Sequence, residues 1–385
     1  MGFVKSLPFR LLAAIAVGIF VGLASGEGLM NVILSVRHIS GQIIFFGVPL
    51  IIIGSIAPSI AKMGKDASRL LGVSLVAAYT MVVLAGLFSM VAGFFVIPRL
   101  NIADTAQNLR GLPDMLFTLN IPQIMPVMSA LALGLLLGLA VTWTDSKQFF
   151  GLLEELSNIV MAIVRRVIIP TLPVFIGTSF ASLAYDGRIT TQLPIFLQVI
   201  LIIIIMHTLW IFVLYVLAAL YSRRNPIEVV RHYGPAYLTA VGTMSSAATM
   251  PVALDCVNKS KVLDKDSISF GIPLFSNIHM PGSVISIVFL SLTVSYVLYG
   301  GMPTLGTMLL FVVLLAVFAV AAPGVPGGTL MASLGLIYAV LGFDEVGTAL
   351  MLAIFALQDS FGTSCNITSD GPMLMALSKY NEGKS

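Results

Sequence analysis

From Leu193 to Leu220 the chain runs without one Lys, Arg, Asp or Glu. About 20 consecutive apolar residues make a helix long enough to cross roughly 30 Å of hydrocarbon. Earlier stretches of the same kind run approximately Leu11 to Gly26, Ile43 to Ile60, Leu70 to Ile97, Met125 to Trp143 and Phe149 to Ala184, and two later ones Ile268 to Tyr299 and Val346 to about Ser378. Of the residues, 58% are hydrophobic and 10% charged, against roughly 45–50% and 25% in a soluble domain. The expectation is an all-α integral membrane protein with eight transmembrane helices.

A net charge of +3 is too small to point to nucleic acid as a partner. Cys256 and Cys365 stand far apart without CxxC spacing, so they read as small core residues rather than a disulfide framework or a zinc site. The start of the chain, charged and then briefly apolar, resembles a secretory signal, but the many apolar segments that follow favour a retained first helix.

Two segments behave differently. Val229 to Val257 is cut by TMSSAATMP, and Pro303 to Phe343 is cut by PGVPGG. Each apolar arm of the first is about a dozen residues, some 18 Å of helix, too short to cross. Broken helices persist at membrane depth only where protein or a water-filled cavity satisfies their open backbone groups, so both segments are expected to be re-entrant hairpins. Phe149 to Ala184 carries Arg165, Arg166, Pro170 and Pro173, which predicts a tilt or a kink.

Charge sets the orientation. With the amino terminus cytoplasmic, Lys62, Lys65, Arg69, Arg223, Arg224, Arg231 and Lys259 fall inside, and Arg37, Arg99, Arg110 and Arg188 outside, as the positive-inside bias requires. Both termini are then cytoplasmic, the expected membrane is the plasma membrane, and the hairpins enter from opposite faces. Each hairpin precedes a helix with polar or breaking residues at mid-depth, NIHMPGS in one case and DSFGTSCN in the other. That resembles an inverted repeat, which places binding sites at the bilayer midplane. The organisation expected is residues 1–148 as scaffold helices one to four, the third partly in the moving unit, 149–221 as helices five and six, and 222–385 as the core transport region.

In a helix, Asp359, Thr363, Asn366 and Asp370 fall at i, i+4, i+7 and i+11, on one stripe. Carboxylates within the bilayer are costly unless paired or hydrated and usually mark ion or substrate paths. The two aspartates lie about 16 Å apart along such a helix, too far for a shared catalytic water. A serine hydrolase would need a base beside Ser245 or Ser246, and His279 is the one apolar-region candidate that follows them, so an enzyme is not expected. A hairpin tip with Ser245 and Ser246 can bind a carboxylate through hydroxyls and amides, while free carbonyls accept a cation. Gly324, Gly327 and Gly328 let the other tip bend like a lid.

The ordered series SSAATMP, PLFSNIHMPGS, PGVPGG and DSFGTSCNITSD, with FFGVPLIIIGSIAPSIAKMGKDASRLLG before it, resembles the dicarboxylate/amino acid:cation symporter family, the glutamate transporter fold, over nearly the whole chain. The resemblance implies a homotrimer in which a scaffold holds a mobile transport unit that moves like an elevator. It implies that Asp359, aided by Thr363, holds a substrate amino group, and that Asn366 and Ser246 meet the α-carboxylate. Gly324 and Val325 line the outer lid, and Met280 and Ser283 border the substrate. Asp370, with Asn366 and the backbone near His279, forms a cation site. No prosthetic cofactor is implied, only a coupling ion, sodium and/or a proton.

Departures refine this. Gly362 stands where members with acidic substrates carry an arginine, the expected partner of a second carboxylate, so a neutral amino acid is favoured over an acidic amino acid or a dicarboxylate. HMPGS puts His279 and Pro281 where polar and acidic ion ligands stand in the family, and Val82 and Val83 replace assisting hydroxyls. One sodium site is therefore expected to be missing. A neutral, hydrogen-bonded His279 is favoured over a proton carrier. The expected function is cation-coupled symport of a small amino acid by alternating access. The competing class is a binding or channel-like membrane protein of the same fold that does not couple.

Overall fold

The computed structural model describes residues 7–65, 69–100, 111–122, 124–187, 189–322, 324 and 326–382; most are helical, with residues 111–122 and 124–126 non-helical. In chain order the helices are α1 (Leu7–Ala24), α2 (Glu27–Lys65), α3 (Arg69–Val96), α4 (Val127–Thr144), α5 (Lys147–Ile163), α6 (Ile169–Tyr185) and α7 (Ile189–Ser222), then α8 (Ile227–Val230), α9 (Gly234–Thr243), α10 (Ser246–Val257), α11 (Lys265–Ile278), α12 (Pro281–Tyr299), α13 (Leu305–Ala321), α14 (Gly328–Leu341) and α15 (Glu345–Glu382). Among the described residues six helical stretches are long and apolar enough to cross a membrane. Two of the expected spans, α1 and α4, have 18 residues each, some 27 Å of helix.

The long second helix corrects the expected Ile43 to Ile60. It starts at Glu27 and runs for 39 residues, because the polar residues before Ile43 are satisfied within the bundle. Ser35 and Ser40 donate to the carbonyls of Asn31 and Val36 one turn back, and Arg37 donates to Ser182 Oγ on α6 at 2.9 Å. The expected disturbance between Phe149 and Ala184 is a single π-helical turn, Val164–Ile168, that holds both arginines and ends two residues before Pro170. Single π turns inside helices are a known way to absorb a proline.

Small residues let helices approach. On α1, Gly18 faces the Gly177 carbonyl of α6, where an added Cβ would lie 2.1 Å from the oxygen, and Gly22 faces Ala181 in the same way. On α4, a Cβ on Gly138 would lie 2.5 Å from Ile60 of α2. Without water to drive association, such close backbone packing holds membrane helices together. Cys256 and Cys365 are buried and free, and Val82 and Val83 pack in the apolar core.

Both interrupted segments fold back on themselves, with α9 packed on α10 and α13 on α14. The first turn is made by Met244 in a left-handed conformation (φ 51°) and Ser245, which caps α10 by accepting from Ala248 N–H at 3.2 Å. In the second, Gly327 takes φ 70° immediately before α14. The span expected as one helix from Ile268 is in fact two. Pro281 bars its predecessor from helical geometry, so Met280 sits at φ −114°, ψ 49° and the chain breaks between α11 and α12. By contrast α15 runs unbroken for 38 residues, with Pro372 inside it. Its polar residues from Gln358 to Asp370 are almost all buried against α7, α9, α11 and α12.

Candidate functional site

The two breaks meet. Ser245 Oγ donates to the Gly324 carbonyl at 2.6 Å, and Ala247 N–H reaches the same oxygen at 3.4 Å. Gly324 fits there because a Cβ would press on Ala247 at 3.3 Å. From the second break Gly327 N–H donates to Asp359 Oδ2 at 2.8 Å, so each tip is tied to a neighbour and the second is tied to the polar stripe of α15.

Beneath the junction lies a nearly closed pocket, with a cavity volume of about 10 Å³, lined by Met244, Ser246, Met280, Ser283, Gly324, Gly328, Thr329, Asp359, Thr363 and Asn366. Three helices begin at it, since Ser246 opens α10, Pro281 follows Met280 to open α12, and Gly328 opens α14. Each helix start brings the positive end of its dipole to the pocket, which favours a carboxylate, although the first-turn N–H groups of α12, at Gly282 and Ser283, already donate to Asn366. Opposite them stands one acid, Asp359, 3% exposed. Among the described residues the lining contains no lysine or arginine.

Asn366 organises one wall. Its Oδ1 accepts from Gly282 N–H at 2.8 Å and Ser283 N–H at 3.3 Å, and its Nδ2 donates to Ser283 Oγ at 3.0 Å and Met280 Sδ at 3.4 Å. Helices α12 and α15 touch here, because a Cβ on Gly282 would lie 2.3 Å from the Gly362 carbonyl.

Further along α15, Asp370 is fully buried. Ser276 Oγ donates to its Oδ2 at 3.0 Å, and His279 Nδ1 lies 3.3 Å from its Oδ1. The carboxylate of Asp370 and the hydroxyl of Ser276, beside the helix break at His279, are oxygens of the kind a hard monovalent cation takes. Among the described residues no group of three His, Cys, Asp or Glu side chains could hold a metal ion.

Of the residues singled out from the sequence, Ser246, Met280, Ser283, Gly324, Asp359, Thr363 and Asn366 line one pocket, and His279 and Asp370 form an adjoining pair. Ser245 is not in the lining, and its hydroxyl serves the tip junction instead. Gly362 is not in the lining either, and a Cβ there would make ordinary contact, at 3.7 Å, with Gly282 and Ser286. Val325 lies outside the described residues. Sequence reasoning missed Met244 and Thr329, which line the pocket, and Ser276, which holds Asp370. Only PLFSN, read as part of a motif, carried a signal for Ser276.

Comparison with known proteins follows the same lines. The Sodium:dicarboxylate symporter family matches residues 7–380. A putative sodium-dependent excitatory amino acid transporter, glt-4 of Caenorhabditis elegans, is 24% identical over 250 residues, which cover 63% of this chain and 48% of the worm protein. Excitatory amino acid transporter 2 of Homo sapiens is 30% identical over 154 residues, 39% of this chain and 26% of the human protein. The chain thus matches about half the length of the first relative and a quarter of the second. With a family match over nearly its whole length, this chain belongs to the sodium:dicarboxylate symporter family.

Proposed function

We propose that the protein is a secondary active symporter that carries a small neutral amino acid together with sodium by alternating access. The observation that supports this best is the polarity of the pocket, where one buried carboxylate, Asp359, faces the starts of three helices. A zwitterion fits such a surface. Its ammonium meets Asp359 and Thr363, and its carboxylate meets Ser246, Asn366 and helical N–H groups.

A second carboxylate on the substrate would find no basic side chain among the lining residues. That favours a neutral side chain, although the family's description and its relatives' names favour a dicarboxylate or an acidic amino acid as the second reading. In this account Asp370 and Asn366, with the backbone at His279, hold the coupling cation, and the tips at Ser245 and Gly324 part to admit substrate. No step makes or breaks a covalent bond.

The proposal extends to two re-entrant hairpins, eight spans, both termini cytoplasmic in a plasma membrane, and a homotrimer whose scaffold holds the moving unit. Mass photometry in nanodiscs tests the last, with a trimeric mass expected and a monomeric mass contradicting it. Function is tested by thermal stabilisation of the purified protein with L-serine, L-alanine, L-aspartate and succinate, each with and without sodium. Sodium-dependent stabilisation by the neutral amino acids is expected. Stabilisation by succinate or aspartate alone establishes the second reading, and none by any of the four contradicts both.

A further inference from the structure

His207 sits in the isoleucine-rich middle of α7 and is 3% exposed. Its Nε2 lies 3.0 Å from the Gly282 carbonyl and 3.1 Å from Ser286 Oγ, while its Nδ1 is buried with no partner among the described residues. A carbonyl has no proton to give, so Nε2 carries the proton and donates it, and Nδ1 is the bare nitrogen. The carbonyl of Gly282 shares its peptide plane with the N–H of Ser283, which donates to Asn366 Oδ1 at 3.3 Å. That one peptide unit is therefore gripped from two helices, its oxygen by α7 and its N–H by α15. Ser286 braces the oxygen side, donating to the Gly282 carbonyl at 2.9 Å and lying 3.0 Å from Gln358 Oε1.

We propose that His207 is a positioning residue that, by holding the Gly282–Ser283 peptide, sets the orientation of Ser283 and Asn366 in the substrate and cation site. A leucine or phenylalanine would fill the same apolar space without leaving a buried nitrogen unpaired. A local break of this kind is expected where a side chain serves a site rather than packing. Asn366 grips only the N–H side of that peptide, so its oxygen side is left to His207 and Ser286. This role rests on the proposed reading of Ser283 and Asn366 as ligands.

The test compares His207→Leu and His207→Gln with the unaltered protein. The glutamine can bring an amide N–H to the Gly282 carbonyl and leucine cannot. Half-saturation by sodium and by the amino acid that stabilises the unaltered protein is measured by thermal shift, alongside a structure of each variant. The expected result is at least a tenfold rise in both half-saturation values for leucine, substantial recovery with glutamine, and a turned Gly282–Ser283 peptide in the leucine variant alone. If His207→Leu lowers the melting temperature but leaves both half-saturation values in place, the residue is only structural and the proposal is overturned. An unmoved peptide in the leucine structure overturns it whether or not the protein transports. Absence of any ligand response from the unaltered protein counts instead against the transport reading.

Discussion

Asp359 joins the second break to the polar stripe through a single hydrogen bond from Gly327 N–H. Asp359→Asn keeps an acceptor for that bond and removes only the charge, so the fold is expected to survive while the substrate ammonium loses its counterion. Removing one partner of a buried charge pair costs about 2–5 kcal/mol, about 30-fold or more in affinity. Isothermal titration with the stabilising amino acid checks this, and unchanged affinity would remove Asp359 from the site. Ser245→Ala deletes the hydroxyl that caps α10 and bonds Gly324. At about 1 kcal/mol net for such a bond, bound substrate is expected to leave about fivefold faster in a stopped-flow measurement. Gly362→Arg is expected to shift preference from serine towards aspartate in competition uptake, since the first carbon of the new side chain fits beside Ser286. No shift would contradict the assignment of that position. Asp359, Thr363, Asn366 and Asp370 were legible because helical spacing alone aligns them. Met244 was not, because nothing in its side chain announces a left-handed backbone.

The helices divide in the same way. TMSSAATMP and PGVPGG announced the two turns, since glycine, serine and proline clusters interrupt an apolar helix. Pro281 announced the gap after His279. The first part of α2 was hidden because Arg37, His38 and the serines near them resemble a loop when read without their partners. Only the bundle shows Arg37 bound to Ser182 and His38 bound to the Leu119 carbonyl. Close packing of α1 on α6 was equally silent, since glycines in an apolar run carry no address. Gly18→Leu is expected to force α1 away from the Gly177 carbonyl and cost about 1–3 kcal/mol, as overpacking does. Its melting temperature in detergent should fall while the half-saturation value for substrate stays in place, and a changed half-saturation with unaltered stability would contradict that separation.

At the scale of the molecule, the family and the all-helical architecture were readable from motifs in order, and the family match over residues 7–380 agrees. Opposed breaks enclosing a chamber were readable too, but not the bonds that close it, in which Ser245 and Ala247 of the first tip reach the Gly324 carbonyl of the second. Such a junction is suited to opening and closing, which alternating access requires. The decisive measurement is uptake of radiolabelled L-serine or L-alanine into liposomes holding the purified protein, with sodium high outside and low inside. Accumulation above the external concentration, abolished when the sodium gradient is collapsed and absent in Asp359→Asn, is the predicted result. Uptake that only equilibrates, or that proceeds unchanged without the gradient, would contradict coupled symport and leave a passive membrane protein of the same fold.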